Sequence, residues 1–496
     1  MSARPPKPTT ERKAPGPRPR VQTPAQHRPK NTLGPTAGRE VSTGRRGPTD
    51  AERRASGWFY GALIFSLLGV AVLGWLFNDQ ANTIVAAPAA VVTPTTAVQA
   101  TTTVAPTTVA PTTTVAPTTS AAPETTAAPA TTTAPTTTIP LSDRDLERID
   151  SVFGDIAPKS VSATPNGLFF AQNMMYRHTI TVYDEQGSLL KTINDQVDLS
   201  EYGVEGGGVV RGAPVEAAPT SDGEFVYVSN YAMYGPGFGP EPGDSCTNSG
   251  WDNSYLYRVD TGSLEIDEVI EVGAVPKFLA VSPDDRFVVV SNWCSYDVSI
   301  VDTASGQEIV RVDIGRHPRG VAISSDSSTA YVTEMGGTRI AIIPLDEITK
   351  VQPGTQPHTE GIDQAGTDWN TDFELDWIND VGLSPRSVVL SPDDQYLYAT
   401  LNGEGRVIKI DLATREVVEN VRTGDAPRSM AISDDGEALY VVNYVSNSMS
   451  KLLTDDMEEV QELRTAEKPI GITVDPNTSN VWVSNYSGVL QIFEDQ

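Results

Sequence analysis

One sentence of sequence is written seven times in this chain. Pro385 opens PRSVVLSPDDQYLYATLNGEGRVIKIDLATREVVENVRTGDA, about forty residues, and Pro427 starts it again with PRSMAISDDGEALYVVNYVSNSMSKL. Upstream, Pro276 opens PKFLAVSPDDRFVVVSNWCSYDVSIVD and Pro318 opens PRGVAISSDSSTAYVTEMGGTRIAIIP. Pro469 opens PIGITVDPNTSNVWVSNYSGVLQIF, and looser copies begin at Pro158 and Pro214. A period near forty residues restricts the fold to a repeat architecture, either a stack or a ring.

Each copy reads as four short strands. In the copy at Pro385, the β-branched run 387–390 ends at Ser391-Pro392-Asp393-Asp394, which supplies the fixed φ and local side-chain hydrogen bonds of a turn. The aromatic run 396–401 stops at Asn402-Gly403, a hairpin signal. Residues 406–411 alternate with period two, and 417–421 complete the unit before Thr423-Gly424. No unit shows a 3.6 period, which excludes a helical solenoid. Seven four-stranded antiparallel sheets have one arrangement that leaves few edges open: an all-β, seven-bladed β-propeller. The last copy stops after its third strand, so its fourth is expected from 146–153 (LERIDSVF), closing the ring with the other end of the repeat region.

The tetrads Tyr227-Val228-Ser229-Asn230, Tyr331-Val332-Thr333-Glu334, Tyr440-Val441-Val442-Asn443 and Trp482-Val483-Ser484-Asn485, with the Pro-Arg/Lys openings and Ser-Pro-Asp-Asp turns, resemble bacterial YVTN-type β-propeller repeats. The resemblance covers about residues 145–496. It implies the fold and a surface or exported setting, and it fixes no activity.

The first 140 residues are of another kind. Residues 1–57 are rich in Pro, Thr, Lys and Arg, with thirteen Lys and Arg against four Asp and Glu, and too few apolar residues to build a core. A disordered basic cytoplasmic tail is expected there. Residues 58–77, WFYGALIFSLLGVAVLGWLF, are uncharged and long enough to span a bilayer as a helix, with Trp58, Tyr60 and Trp75 near its ends. Arg45, Arg46, Arg53 and Arg54 precede it and Asp79 follows, so the positive-inside bias places the amino terminus in the cytoplasm and the repeats outside. A cleaved signal peptide is the competing reading; the apolar run is long for one and the tail before it longer still. Residues 78–140 form a Pro/Thr/Ala-rich stalk that, extended as polyproline II, would reach about 150–200 Å. Its composition suits a flexible tether or an O-glycosylated spacer. The repeats then occupy 141–496.

Charge narrows the partners. The whole chain carries −28 and the tail +9, which leaves −37 for the remainder. So acidic a surface repels nucleic acid; its simplest reading is plain solvation, and it also suits a salt-tolerant setting or a surface that attracts metal ions or basic partners. The only cysteines, Cys246 and Cys294, follow the second strands of adjacent copies. Equivalent loops of adjacent blades are neighbours in a propeller, so a disulfide pinning the Gly/Pro-rich flap 231–253 is expected.

Candidate site residues follow from repeat position. Lys159, Lys277, Arg319, Arg386 and Arg428 each come directly after the opening proline, where they could ring the channel mouth. They suit a cradle for a carboxylated or phosphorylated glycan, or are each paired with an acid of a neighbouring blade. Asn173, Asn230, Asn292, Asn402, Asn443 and Asn485 end the second strands as turn-forming residues, with Glu334 the odd carboxylate among them and the candidate acid or base. Tyr234 and Trp251, on the flap, offer stacking surfaces for a sugar or protein. Asp284, Asp285, Asp393, Asp394, Asp434 and Asp435 belong to turns on the opposite rim, and no Ca²⁺ loop pattern follows them. The run Gly206-Gly207-Gly208 reads as a flexible inter-blade loop. No cofactor, metal-ligand or nucleophile motif is present among the signatures sought. The expectation is therefore a membrane-anchored extracytoplasmic binding module for an envelope glycan or surface protein. The alternative is a lactonase-like hydrolase, since seven-bladed propellers similar to this one include lactonases; a self-assembling surface-layer component is a third.

Overall fold

A computed structural model describes residues 144–496, apart from 241–242, 247–250, 351–360, 363–367 and 371–373. The expectations for 1–57, 58–77 and the stalk 78–140 lie outside the described residues. Among those described, no helix is long and apolar enough to cross a membrane.

Seven four-stranded antiparallel sheets follow one another in chain order. Their inner strands are Ser160–Ala163, Pro214–Pro219, Pro276–Val281, Pro318–Ile323, Pro385–Leu390, Pro427–Ile432 and Pro469–Val474, which open blades one to seven. The seventh sheet has the order Pro469–Val474, Val481–Asn485, Val489–Asp495, Leu146–Phe153, so the predicted closure holds. Leu146 pairs with Asp495 and Phe153 with Val489. Lys451 of blade six, wholly buried, bonds Asp495 Oδ1 at 2.7 Å and the Arg144 carbonyl at 3.0 Å. Gln461 brackets Leu146 through its backbone N–H (2.8 Å) and carbonyl (3.2 Å).

The core is divided among the seams between blades. One apolar cluster joins each consecutive pair, including blades six to seven and seven to one. At the last seam Phe169 stacks on Trp482 with ring centroids 3.9 Å apart. The second strands supply most of this material because both their faces meet a neighbouring blade: Phe287–Asn292 and Ala438–Asn443 are buried at every position. Fourth strands are largely exposed, as in Glu416–Arg422. Inner strands converge, so small residues are needed where they meet; a Cβ at Gly320 would lie 2.6 Å from the Arg386 carbonyl.

Turns on the rim remote from the cysteines lace blades together. Asp284, Asp393 and Asp435 accept from the hydroxyl of their own turn's Ser282, Ser391 and Ser433 at 2.6 Å each. Asp285 and Asp394, at φ 57° and 55°, reach across to Ser221 and Ser325 of the preceding blade.

Two expectations are corrected. Gly206–Gly208 belongs to a built insertion, a hairpin of Gln196–Asp198 with Val209–Arg211 around a 3-10 turn at Leu199–Tyr202. Gly207 packs against Leu199, where a Cβ would come within 2.7 Å. Asn402 does not end its strand in register with the other asparagines. Pro385 faces Leu401, as Pro427 faces Asn443 and Pro276 faces Asn292, so an apolar residue takes that position in blade five. Arg339–Pro344 and Asp376–Ile378 pair as the third and fourth strands of blade four, so residues 345–375 are an insertion between them in the sequence.

Closure makes a direct prediction. Leu146 is 2 % exposed on the closing strand, and Ile149 is 49 % exposed. Leu146→Ala is expected to destabilise by about 2–4 kcal/mol in denaturant unfolding, and Ile149→Ala by less than about 0.5 kcal/mol. Equal effects would mean that this strand does not seal the ring.

Candidate functional site

The residue after each opening proline sits in a bulge. In blades two to seven the pairing of first and second strands slips just past the proline, for example between Pro276 and Phe278, Pro318 and Val321, and Pro427 and Ser429. A bulge re-aims the side chain it carries. The residues re-aimed here include Lys277, Arg319, Arg386 and Arg428, and they converge with Lys159 at the mouth of the central channel. Glu216, bulged in blade two, stands with them. Below lies a cavity of about 400 Å³ lined by inner strands of all seven blades.

Salt links cross this mouth from blade to blade. Glu216 Oε1 accepts from Lys159 Nζ at 2.8 Å and from Arg319 Nη2 at 3.1 Å, joining blades one, two and four. Arg319 Nη1 also donates to the Lys277 carbonyl. Lys277 pairs with Asp244 of the flap. Arg386 donates through Nε to the Arg428 carbonyl (3.2 Å) and through Nη1 to the Met335 sulfur (3.5 Å). Arg428 lies over the Tyr444 ring, 3.9 Å from its centroid. Nε of Arg319 and Nε of Arg428 are buried without a partner. Five cations thus face two carboxylates, Glu216 and Asp244, among the described residues. Lys159, Arg319 and Lys277 form ion pairs with acids; Arg386 and Arg428 form none among the described residues, and Glu216 and Asp244 attract them only from farther off.

Desolvation follows from this crowding. Burial pulls Lys159 down to about 7, against the attraction of Glu216 and with help from Arg319 and Arg386. It pulls Lys277 down to about 8 against Asp244. Arg386 is pushed well below its ordinary value by burial and then by Arg319 and Arg428.

A second ring stands above the first. The residue after the strand-ending Asn position is Tyr231, Trp293, Met335, Asn402, Tyr444 and Tyr486 in blades two to seven. Each donates its backbone N–H to the carbonyl of the residue just before the next-door proline: Ala213, Val275, His317, Ser384, Ala426 and Lys468, at 2.8–3.1 Å. Val275, His317, Ser384, Ala426 and Lys468 all hold positive φ, between 56° and 61°, unusual for non-glycine residues and harshest for β-branched Val275. The collar and the cations interlock: Lys277 Nζ is 4.2 Å from the Trp293 ring and 5.2 Å from Tyr231. Sequence reading missed this collar, although its signal was present as an Asn-aromatic step in four copies: Asn230-Tyr231, Asn292-Trp293, Asn443-Tyr444 and Asn485-Tyr486.

The flap is fixed to this rim. Cys246 and Cys294 form the expected disulfide, 48 residues apart in sequence. In the chain-entropy model a closed loop of that length stabilises by about 4 kcal/mol. Asp244 also accepts from Tyr231 OH at 3.2 Å, and its carbonyl from Trp293 Nε1 at 2.8 Å. Trp251 packs against the apolar cluster around the bridge, and Tyr234 pairs with Arg211 and meets His178 edge-on at 5.4 Å. These two buttress the flap. Glu334 takes the Asn position of blade four, bonding Arg339 Nε at 2.6 Å and the Arg316 N–H at 3.2 Å, and so anchors a turn. The remaining asparagines are buried and bind their own hairpins, as Asn292 does through Asp297 and Ser299, both at 2.7 Å.

A family model described as the cytochrome D1 heme domain matches residues 376–493. The chain is 26 % identical over 191 residues to Antigen Lp49 of Leptospira interrogans, which covers 31 % of this chain and 42 % of that protein. It is 26 % identical over 151 residues to the seven-bladed beta-propeller protein Rv1057 of Mycobacterium tuberculosis, covering 30 % and 33 %. The matches span less than half of either relative's length. With seven closed blades, they support a β-propeller family for the chain. The matched stretch contains no histidine or cysteine to ligate a haem iron, and its Met430, Met449 and Met457 are buried between blades.

Lys159 provides a pH test. Its ordinary value of 10.5 falls to about 7 on folding, so between those values the unfolded chain binds more protons and this residue favours the fold increasingly as pH rises. Below about 7 both states are protonated and the cost of burying the charge is fully present. Lys159→Met is therefore expected to raise Tm relative to the parent most at pH 6 and least at pH 9.5. A difference constant with pH would show that the ammonium is not desolvated.

Proposed function

We propose that this protein is a membrane-anchored, extracytoplasmic binding module whose channel mouth takes an acidic glycan of the cell envelope. The carrying observation is the cup itself: five buried or half-buried cations under an aromatic and methionine collar, with Glu216 and Asp244 the only carboxylates paired with them among the described residues. Unpaired buried charge is costly, and an anionic guest relieves it. Aromatic walls suit the apolar faces of sugar rings, and guanidinium groups suit carboxylate and phosphate. The kinship with YVTN-type repeats, the span 58–77 and the stalk 78–140 support the anchored, outward-facing arrangement. In it the tail 1–57 is cytoplasmic, and surface proteins are the partners if the guest is carried on a protein.

Applied to arrays of uronate-bearing, phosphorylated and neutral glycans, the full-length chain in detergent is expected to retain acidic glycans only. The Arg386→Gln/Arg428→Gln double variant is expected to lose that retention. Indifference to glycan charge, or no retention at all, would end the reading. Protease added to intact cells should remove the propeller and spare an epitope on residues 1–57; the reverse pattern would overturn the orientation.

A further inference from the structure

Countercharge is distributed unevenly around the cup. Over blades one to four, Lys159 and Arg319 share Glu216, and Lys277 holds Asp244. Over blades five and six, Arg386 and Arg428 form no ion pair among the described residues, and Glu216 and Asp244 act on them only at longer range. Arg386 has committed Nε and Nη1 to the Arg428 carbonyl and the Met335 sulfur, which leaves Nη2. Arg428 keeps a buried Nε without a partner. Tyr486 lies edge-on to Tyr444 at 6.2 Å and within electrostatic reach of both guanidinium groups. Burial pushes the Tyr486 hydroxyl up to about 12 against the pull of Arg428, so it stays protonated and can donate. This sector therefore offers one guest group two guanidinium groups that bond no carboxylate, together with several N–H and O–H donors.

A lone carboxylate balances one of those charges. A phosphate monoester carries about −1.5 to −2 at pH 7 and presents three acceptor oxygens, which matches both the charge and the donors. Resting on the reading of the cup as an acidic-glycan site, we propose that Arg386, Arg428 and Tyr486 seat the phosphate of a sugar phosphomonoester, with the sugar toward the collar. The charge then lies over blades five and six, and the sector over blades one to four, already balanced, meets the neutral part of the guest.

The test is calorimetric titration of the full-length chain with glucose 6-phosphate, glucuronate and glucose as probes. At pH 7.5 the phosphate is expected to bind at least about tenfold more tightly than glucuronate. Its advantage should shrink to less than about threefold at pH 5, once the second phosphate proton, of pKa about 6, has returned. Taking the ratio of the two anions cancels protonation changes in the protein that both guests share. Arg386→Gln and Arg428→Gln should each remove at least about tenfold of phosphate affinity, and Lys277→Gln less than about threefold. The parent's ranking of probes needs no variant, and an intact disulfide and unchanged Tm certify each variant's fold. Glucuronate binding as tightly as the phosphate would overturn the phosphomonoester assignment and leave the acidic-glycan reading standing. Binding of neither anion would overturn both.

Discussion

The antiparallel seam between Leu146–Phe153 and Val489–Asp495 is the contact on which the rest of this molecule depends. Each blade has a sheet too small to bury both of its faces alone, so an apolar cluster is shared across every seam. An open row of seven such sheets would end in two unmatched faces. Closing the row turns those faces into one more seam, where Trp482 and Phe169 stack. It also brings seven inner strands around one axis, and only then does a channel with a mouth exist.

From that symmetry comes a way of placing unlike side chains on like backbone. The bulge after each opening proline is a backbone event, repeated in six blades, and it delivers whatever residue is written there to the same place. Valine in blade two and isoleucine in blade seven occupy the same station as the lysines and arginines of the others. The backbone sets the stations and the side chains give the ring its polarity. Glu216 is the clearest case. At its position the other six blades carry Ser160, Phe278, Gly320, Ser387, Ser429 and Gly471, and one carboxylate there suffices to join three blades. The collar works likewise, held by one backbone hydrogen bond in each of blades two to seven, and in blades three to seven to a residue of positive φ.

Most of the scaffold was legible because turn chemistry repeats: proline, Ser-x-Asp and Asn recur at fixed spacing and each has a local cause. The missing fourth strand was legible as a count, and the disulfide as two equivalent loops. The site was less so. Arg386 and Arg428 could be picked out as repeat-position cations, but their lack of a carboxylate depends on which blades face each other across the axis. The aromatic collar was overlooked because its neighbour, the asparagine, accounted fully for the turn. Asn402 misled because the Asn-Gly-Glu-Gly turn of blade five shifts the asparagine by one residue, and one residue changes the face of a strand. The 196–211 hairpin hid behind a glycine run whose flexibility is cancelled by packing on Leu199.

The closing strand has a mechanical side. Residue 144 leads onto the outer edge of blade seven, while the same strand continues through Phe153 and Pro158 into the inner strand of blade one. A pull applied through residue 144 therefore does not load one sheet alone. It is divided between the ladder of hydrogen bonds along blade seven and the covalent path into blade one, and the buried Lys451–Asp495 bridge passes part of it to blade six. Tension on this domain is thus divided among three adjacent blades, along the arc where the ring closes.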